Sequence, residues 1–522
     1  MPRSAIVILL LAAATAAAAA AKDPACLDIG WTTLARTGLT YGSGIYGAAT
    51  AKDGKRVLDI VAADVALPTT PTSELSFNPI GAIPATWAPP AGYKATGLVS
   101  VSPDFVSFHT RGSKTFVINH FEYPQPSKMY VSELSKPDAK GTITVVNTKP
   151  IDDTMDNGLM SMCSGSLGEE YPPDCRTFEQ QFANCITPSE ATLCGMSPGD
   201  TGSAGSLLDF GRYFGLFSRG ASYGLASIDP LNNQAAHDEL AQSYKCYNYG
   251  SSPEARLVSS TGATTITKWR TIGRISHEAA LVMPDKKTVY STDDNPNGVW
   301  LKFVADKQQK LDSGSLYAAK LKSQRVENGK PTWDLEWILL GKGDQATLEA
   351  MANSNLKFSD IFEVATPVGS PPACPSGFLA ANTVNNLFRF KDNSTNTNYY
   401  IECLKVKPGM ETAAAFFETR RYASMLGATA EFEKQEGITV SKLHSKVWFS
   451  TSVIRNGMTN SPAYNFLRND IDLPQNNCGG VMEVDLDDNW SGTKIRMLLT
   501  GDSAANTNAN NECNLDNIAE PG

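Results

Sequence analysis

The stretch Gly273-Arg-Ile-Ser-His-Glu-Ala-Ala-Leu-Val-Met-Pro-Asp-Lys-Lys-Thr-Val-Tyr-Ser-Thr-Asp-Asp294 decides the reading of this chain. His277-Glu278 opens an apolar run, Pro284-Asp285 supplies a turn, and a β-rich run returns to Asp293-Asp294. One predicted hairpin is thus flanked by acids at both open ends. The pattern recurs where Glu436-Gly-Ile-Thr-Val440 passes a turn near His444-Ser445 and returns through Lys446 to Ser452. An earlier run, Lys114 to Glu122, also carries a strand into an acidic end. Repeated hairpins with a carboxylate at a strand end predict a radial β-fold whose acids converge on a central channel.

Working outward, most of the chain after Val57 reads as short strands divided by Gly, Pro, Asn and Asp clusters. Gly141–Asn147, Gly480–Leu486 and Lys494–Leu499 are examples. Helical patterns are few: Gln345–Ala352 and Gly409–Phe417. Residues 180–235, rich in Gly, Ser, Ala and Cys, read as an insertion of loops and a helix. The expected architecture is all-β, a six-bladed β-propeller-like ring with loop and helix insertions.

The first 21 residues, Met-Pro-Arg followed by an alanine- and leucine-rich run, read as a secretory signal peptide, the alternative being a membrane anchor. Residues 22–522 then form a single domain, for no linker divides them. Sequons at Asn393 and Asn489 are compatible with secretion. The net charge of −9 and the absence of a Lys/Arg cluster argue against nucleic acid and anionic membrane as partners. Ten cysteines in a secreted chain imply disulfides, with Cys374–Cys403 and Cys478–Cys513 expected from proximity. No pair of histidines has zinc-site spacing, and neither a Gly-x-Ser-x-Gly elbow nor a Walker loop is present.

Four blocks resemble the PhoX-type secreted alkaline phosphatases. These are Asn119–Tyr123, Cys163–Arg176 with its Glu-Glu-Tyr, Gly273–Asp294 continuing to Lys320, and Glu418–Gly437. Cys163 and Glu169 stand only six apart, closer than the family's pattern, and the chain stops at Asp516-Asn-Ile-Ala-Glu-Pro-Gly522, where the family continues. The closing strands of the propeller are therefore expected to be missing.

The resemblance implies a calcium and iron centre (Ca2+ and Fe3+) that hydrolyses organic phosphate esters. In it, an oxide or hydroxide activated by the metals attacks phosphorus. Cys163 would be an iron ligand with Glu169 or Glu170 beside it. Glu278 and Glu436 would be metal ligands, Lys434 would contact phosphate, and Glu122 would be a supporting acid.

The residues themselves are consistent with this. Gathered carboxylates repel unless a cation neutralises them, and hard oxygens suit calcium. Other readings stay open. Glu278 caps a turn or pairs with Arg274, and Cys163 pairs with Cys175. Arg420-Arg421 is an anion clamp or, preferably, a structural pair bridging to Glu418. Asp293-Asp294 is a solvated hairpin end or a calcium contact, and His277 is an orienting or buried group. The expected partner is a small phosphate ester, the expected state a monomer, and the expected location extracellular, or periplasmic in a bacterium. The alternatives are a calcium-dependent propeller lactonase or arylesterase, and a non-catalytic calcium-binding propeller.

Overall fold

The computed structural model describes residues 103–121, 129–151 and 250–501 with short gaps, together with Tyr247 and short strands between 40 and 179. The expected signal peptide, the 180–235 insertion and the chain after 501 lie outside the described residues, as does Cys513. Among the described residues the protein is mostly β, built from antiparallel meanders.

The first meander comprises β1 (Pro103–Arg111), β2 (Lys114–Phe121), β3 (Met129–Leu134) and β4 (Val145–Pro150), in that spatial order. A second comprises β5 (Gly165–Leu167), β6 (Cys175–Glu179), β7 (Ser252–Leu257) and β8 (Thr264–Trp269). The third runs through β9 (His277–Val282), β10 (Thr288–Asp293), β11 (Leu301–Lys307), β12 (Lys310–Glu327) and β13 (Lys330–Asp344).

Helices follow, interleaved with a small three-stranded sheet; the three longest are α1 (Gln345–Asn353), α2 (Glu411–Phe417) and α3 (Thr419–Leu426), with a single helical turn at Phe358–Ile361 between the first two. The first two are the helices expected from sequence, and Asp344 caps α1 by accepting from the Thr347 amide at 2.9 Å. The last meander is β14 (Gln435–Ser441), β15 (Lys446–Thr451), β16 (Gly480–Leu486) and β17 (Gly492–Thr500).

These last two meanders are fused. β13 pairs with β17 through Thr332↔Arg496, Trp333↔Ile495 and Asp334↔Lys494, giving one nine-stranded sheet. The sheet curls until its outermost strands, β9 and β14, lie side by side, so it is a nearly closed barrel. Four-stranded meanders are what a propeller blade uses, but the described residues display this fused sheet rather than a count of six blades.

Strand periodicity divides the residues of the curled sheet between two covered faces. On β9 and β10 every residue is buried, because both faces are covered. Leu281, Tyr290 and Trp300 face Trp333, Phe449 and Met482 inside the barrel, with Tyr290 stacked on Trp300 at 4.9 Å. Their neighbours Val282, Val289 and Leu301 face outward onto Leu348 of α1 and Phe416 of α2. The Cys374–Cys403 disulfide is formed as expected, and Cys478 is also disulfide-bonded.

Candidate metal centre

The hairpin of β9 and β10 forms where the sequence places it. Asp285 takes the turn through its side chain: Oδ1 accepts from the Lys287 and Thr288 amides at 3.0 and 2.9 Å, and Oδ2 accepts from the Thr288 hydroxyl. At the open end, His277 pairs with Asp293 and Ala280 with Ser291. Glu278 and Ala279 therefore oppose the single residue Thr292, a two-for-one bulge that re-aims the strand end. In β14 and β15, Gln435 pairs with Thr451 and Ile438 with Phe449, so Glu436 and Gly437 oppose Ser450 in the same way. Each hairpin thus delivers its glutamate from a bulge, and the Thr292 hydroxyl donates to the Glu436 carbonyl oxygen at 2.9 Å across the seam.

The consequence is convergence. Carboxylate oxygens of Glu278, Asp294 and Glu436 lie within 4.8 Å of one another, and all three residues are buried. At that spacing two carboxylates repel by about 3 kcal/mol at an effective dielectric constant near 20. Lys434 enters the group: its ammonium donates to Asp294 and stands 4.0 Å from Glu436. Burial works against its charge, but Asp294, Glu436 and Glu278 outweigh that and raise it above the ordinary lysine range. With its side chain still 34% exposed, Lys434 can meet a ligand from solvent. Its φ of 44° is left-handed, a conformation non-glycine residues hold chiefly where function or packing demands it.

Three buried carboxylates meet here with the ammonium of Lys434 among them. The donors are all oxygens, buried, and brought from two separate hairpins. That set fits a hard divalent cation.

Asp293, beside the cluster, is not the solvated hairpin end that the sequence left open. It is fully buried; its carboxylate accepts both arms of the Arg420 fork, with Nε at 2.9 Å, and also accepts from the Val299 amide at 3.1 Å. Burial pushes this carboxyl above its usual range, and Arg420 pulls against that shift. Arg421 bridges to Glu418 at 2.7 Å and to Glu402 at 2.9 Å. The arginine pair is structural, as preferred from sequence.

His277 is an enclosed, orienting group. Its Nε2 donates to the Gly273 carbonyl oxygen at 3.1 Å, its Nδ1 lies 2.6 Å from the Ser291 hydroxyl, and burial lowers its pKa to about 4. Gly273 has a φ of 89°, a left-handed conformation that favours glycine, and a Cβ there would also crowd Leu316 and Thr419.

Of the residues expected at the site, the structure brings together Glu278, Glu436 and Lys434. Glu122, Cys163, Glu169 and Glu170 lie outside the described residues. Asp294 completes the group, and its signal was its place at the far end of the hairpin that begins with Glu278.

The sequence profile of the family described as Alkaline phosphatase PhoX matches residues 257–520, just over half of the 522 residues. That interval holds both acidic hairpins. No curated protein matches the chain. Among solved structures, Pseudomonas fluorescens PhoX in complex with vanadate, a transition state analogue, is similar with a TM-score of 0.46 and 14% identity. The match covers 79% of this chain and 68% of that one. On the extent of the profile match, this chain belongs to the alkaline phosphatase PhoX family.

Proposed function

We propose that this chain hydrolyses phosphate monoesters at a divalent-cation centre held by Glu278, Asp294 and Glu436. The observation that carries the reading is their convergence within 4.8 Å inside the interval matched by the family profile. A bound cation supplies Lewis-acid activation of water and neutralises charge on the phosphoryl oxygens. The protein's part is to hold the cation by Glu278 and Glu436 from rigid strand ends, and to place the ammonium of Lys434 beside it. That ammonium presents a positive charge to a phosphoryl oxygen as a point charge rather than a fork.

Calcium suits the all-oxygen set. Iron, as Fe3+, would require Cys163 with Glu169 or Glu170, and Glu122 would be a supporting acid; these remain part of the proposal on the family resemblance. So do a ring of six blades, action on small esters as a monomer, and export from the cell. Among the described residues no helix is long and apolar enough to cross a membrane.

The test is hydrolysis of p-nitrophenyl phosphate by the full-length protein, with calcium and iron analysis, beside Glu278→Gln and Glu436→Gln. Each variant is expected to remain folded and lose activity by about 100-fold or more, with loss of bound calcium. Full activity in both would remove the cluster from the reaction.

A further inference from the structure

The two acidic hairpins are repeats of one another, and the repeat extends one residue past each second strand. In the first, the Asp294 amide donates to the Ser276 carbonyl oxygen at 2.9 Å; in the second, the Ser452 amide donates to the Lys434 carbonyl oxygen at 3.0 Å. Ser276 precedes His277-Glu278 by the same step as Lys434 precedes Gln435-Glu436, and both glutamates sit in a bulge facing one residue. Ser452 therefore stands to Glu436 as Asp294 stands to Glu278. Strand alternation puts Asp294 on the face of Thr292, the residue opposite the Glu278 bulge. The same alternation puts Ser452 on the face of Ser450, opposite the Glu436 bulge.

Ser452 is fully buried and its Oγ has no hydrogen-bond partner. A buried hydroxyl without a partner costs free energy, and such groups in native proteins ordinarily meet a water, an ion or a ligand. Three carboxylates also fall short of the six to eight oxygens a calcium ion takes.

We infer that the Ser452 hydroxyl is a further oxygen ligand of the cation centre, occupying in the second hairpin the place that Asp294 holds in the first. The inference rests on the cation-centre reading above. It makes the centre a two-fold arrangement of two Glu-plus-oxygen arms, charged in one arm by Asp294 and neutral in the other by Ser452. The neutral arm keeps the negative charge at the centre lower than two charged arms would.

The experiment is isothermal titration of the chelator-treated full-length protein with calcium, for the parent chain and for Ser452→Ala, Ser452→Asp and Glu278→Gln. Ser452→Ala is expected to weaken calcium binding about 10-fold. Ser452→Asp, which copies the first arm, is expected to strengthen it, and all variants should melt within a few degrees of the parent in chelator. Unchanged affinity in Ser452→Ala with weakened affinity in Glu278→Gln would overturn the role of Ser452 alone. Unchanged calcium affinity in Ser452→Ala with a raised KM for p-nitrophenyl phosphate would overturn it too, assigning the hydroxyl to the substrate. Unchanged affinity in both Ser452→Ala and Glu278→Gln would overturn the cation centre itself.

Discussion

At the scale of single residues, the pairing of Arg420 with Asp293 shows how the site is held by chemistry outside it. Asp293 is fully buried one position before Asp294, and its two fork contacts to Arg420 are joined by the amide of Val299. Removing one member of such a pair leaves a buried charge uncompensated, which costs about 3–5 kcal/mol. Arg420→Met is therefore expected to lower unfolding stability by that amount in urea titration. The double variant Arg420→Met/Asp293→Asn should recover most of the loss, because it leaves no lone charge. If the single variant were as stable as the parent, the pair would not be what anchors the acidic arm. Arg420→Lys would keep the charge but not the two-pronged geometry.

Elements carry a different kind of constraint. Each hairpin is set by local turn chemistry, Asp285 in one and the turn before Lys446 in the other, while each glutamate is aimed by a bulge. The entry to β16 is governed by close approach instead. Gly479 has a φ of 69°, and a Cβ there would lie 1.8 Å from the Thr451 carbonyl oxygen, at the end of the strand that precedes Ser452. Gly479→Ala is expected to cost more than about 3 kcal/mol, since backbone rather than a flexible side chain has to move. Gly112→Ala, at a similar φ of 63° with nothing within 4 Å of the added carbon, should cost only about 1 kcal/mol. Thermal melts of the two variants check this; equal losses would mean that φ and not contact sets the cost.

For the molecule as a whole, the fused sheet brings its two outer strands together and concentrates negative charge at their junction. Binding of calcium to the folded state alone should then raise stability by mass action, about 2.7 kcal/mol at 100 times the dissociation constant. The full-length protein is expected to melt at a lower temperature in EGTA than in calcium. The double variant Glu278→Gln/Glu436→Gln should melt at the same temperature in both. Calcium-independent melting of the parent chain would contradict the centre.

Much of this was legible in the chain alone, and the legible parts share a physical cause. The hairpin from Gly273 to Asp294, the turn near His444-Ser445, the helix at Gln345 and the Cys374–Cys403 bridge are signalled by turn residues, strand alternation, caps and short separations. Local backbone chemistry determines such features before distant segments meet. The sequence also determined that Glu278 and Glu436 open equivalent strands, because the repeat is visible in it. It did not reveal α3 as a helix, and of the partners of Arg420 and Arg421 it named Glu418 but not Asp293 or Glu402.

Nor did it decide between solvent and site for Asp294, or single out Ser452. Arg420 and Asp293 lie 127 positions apart, and Lys434 and Asp294 lie 140 apart. No local preference favours either pair, and only closure of the nine-stranded sheet removes the water that would otherwise keep those charges separate. The elements and their acids came from the sequence. Their burial together was decided by the tertiary structure, because desolvation acts only once distant strands share one interior.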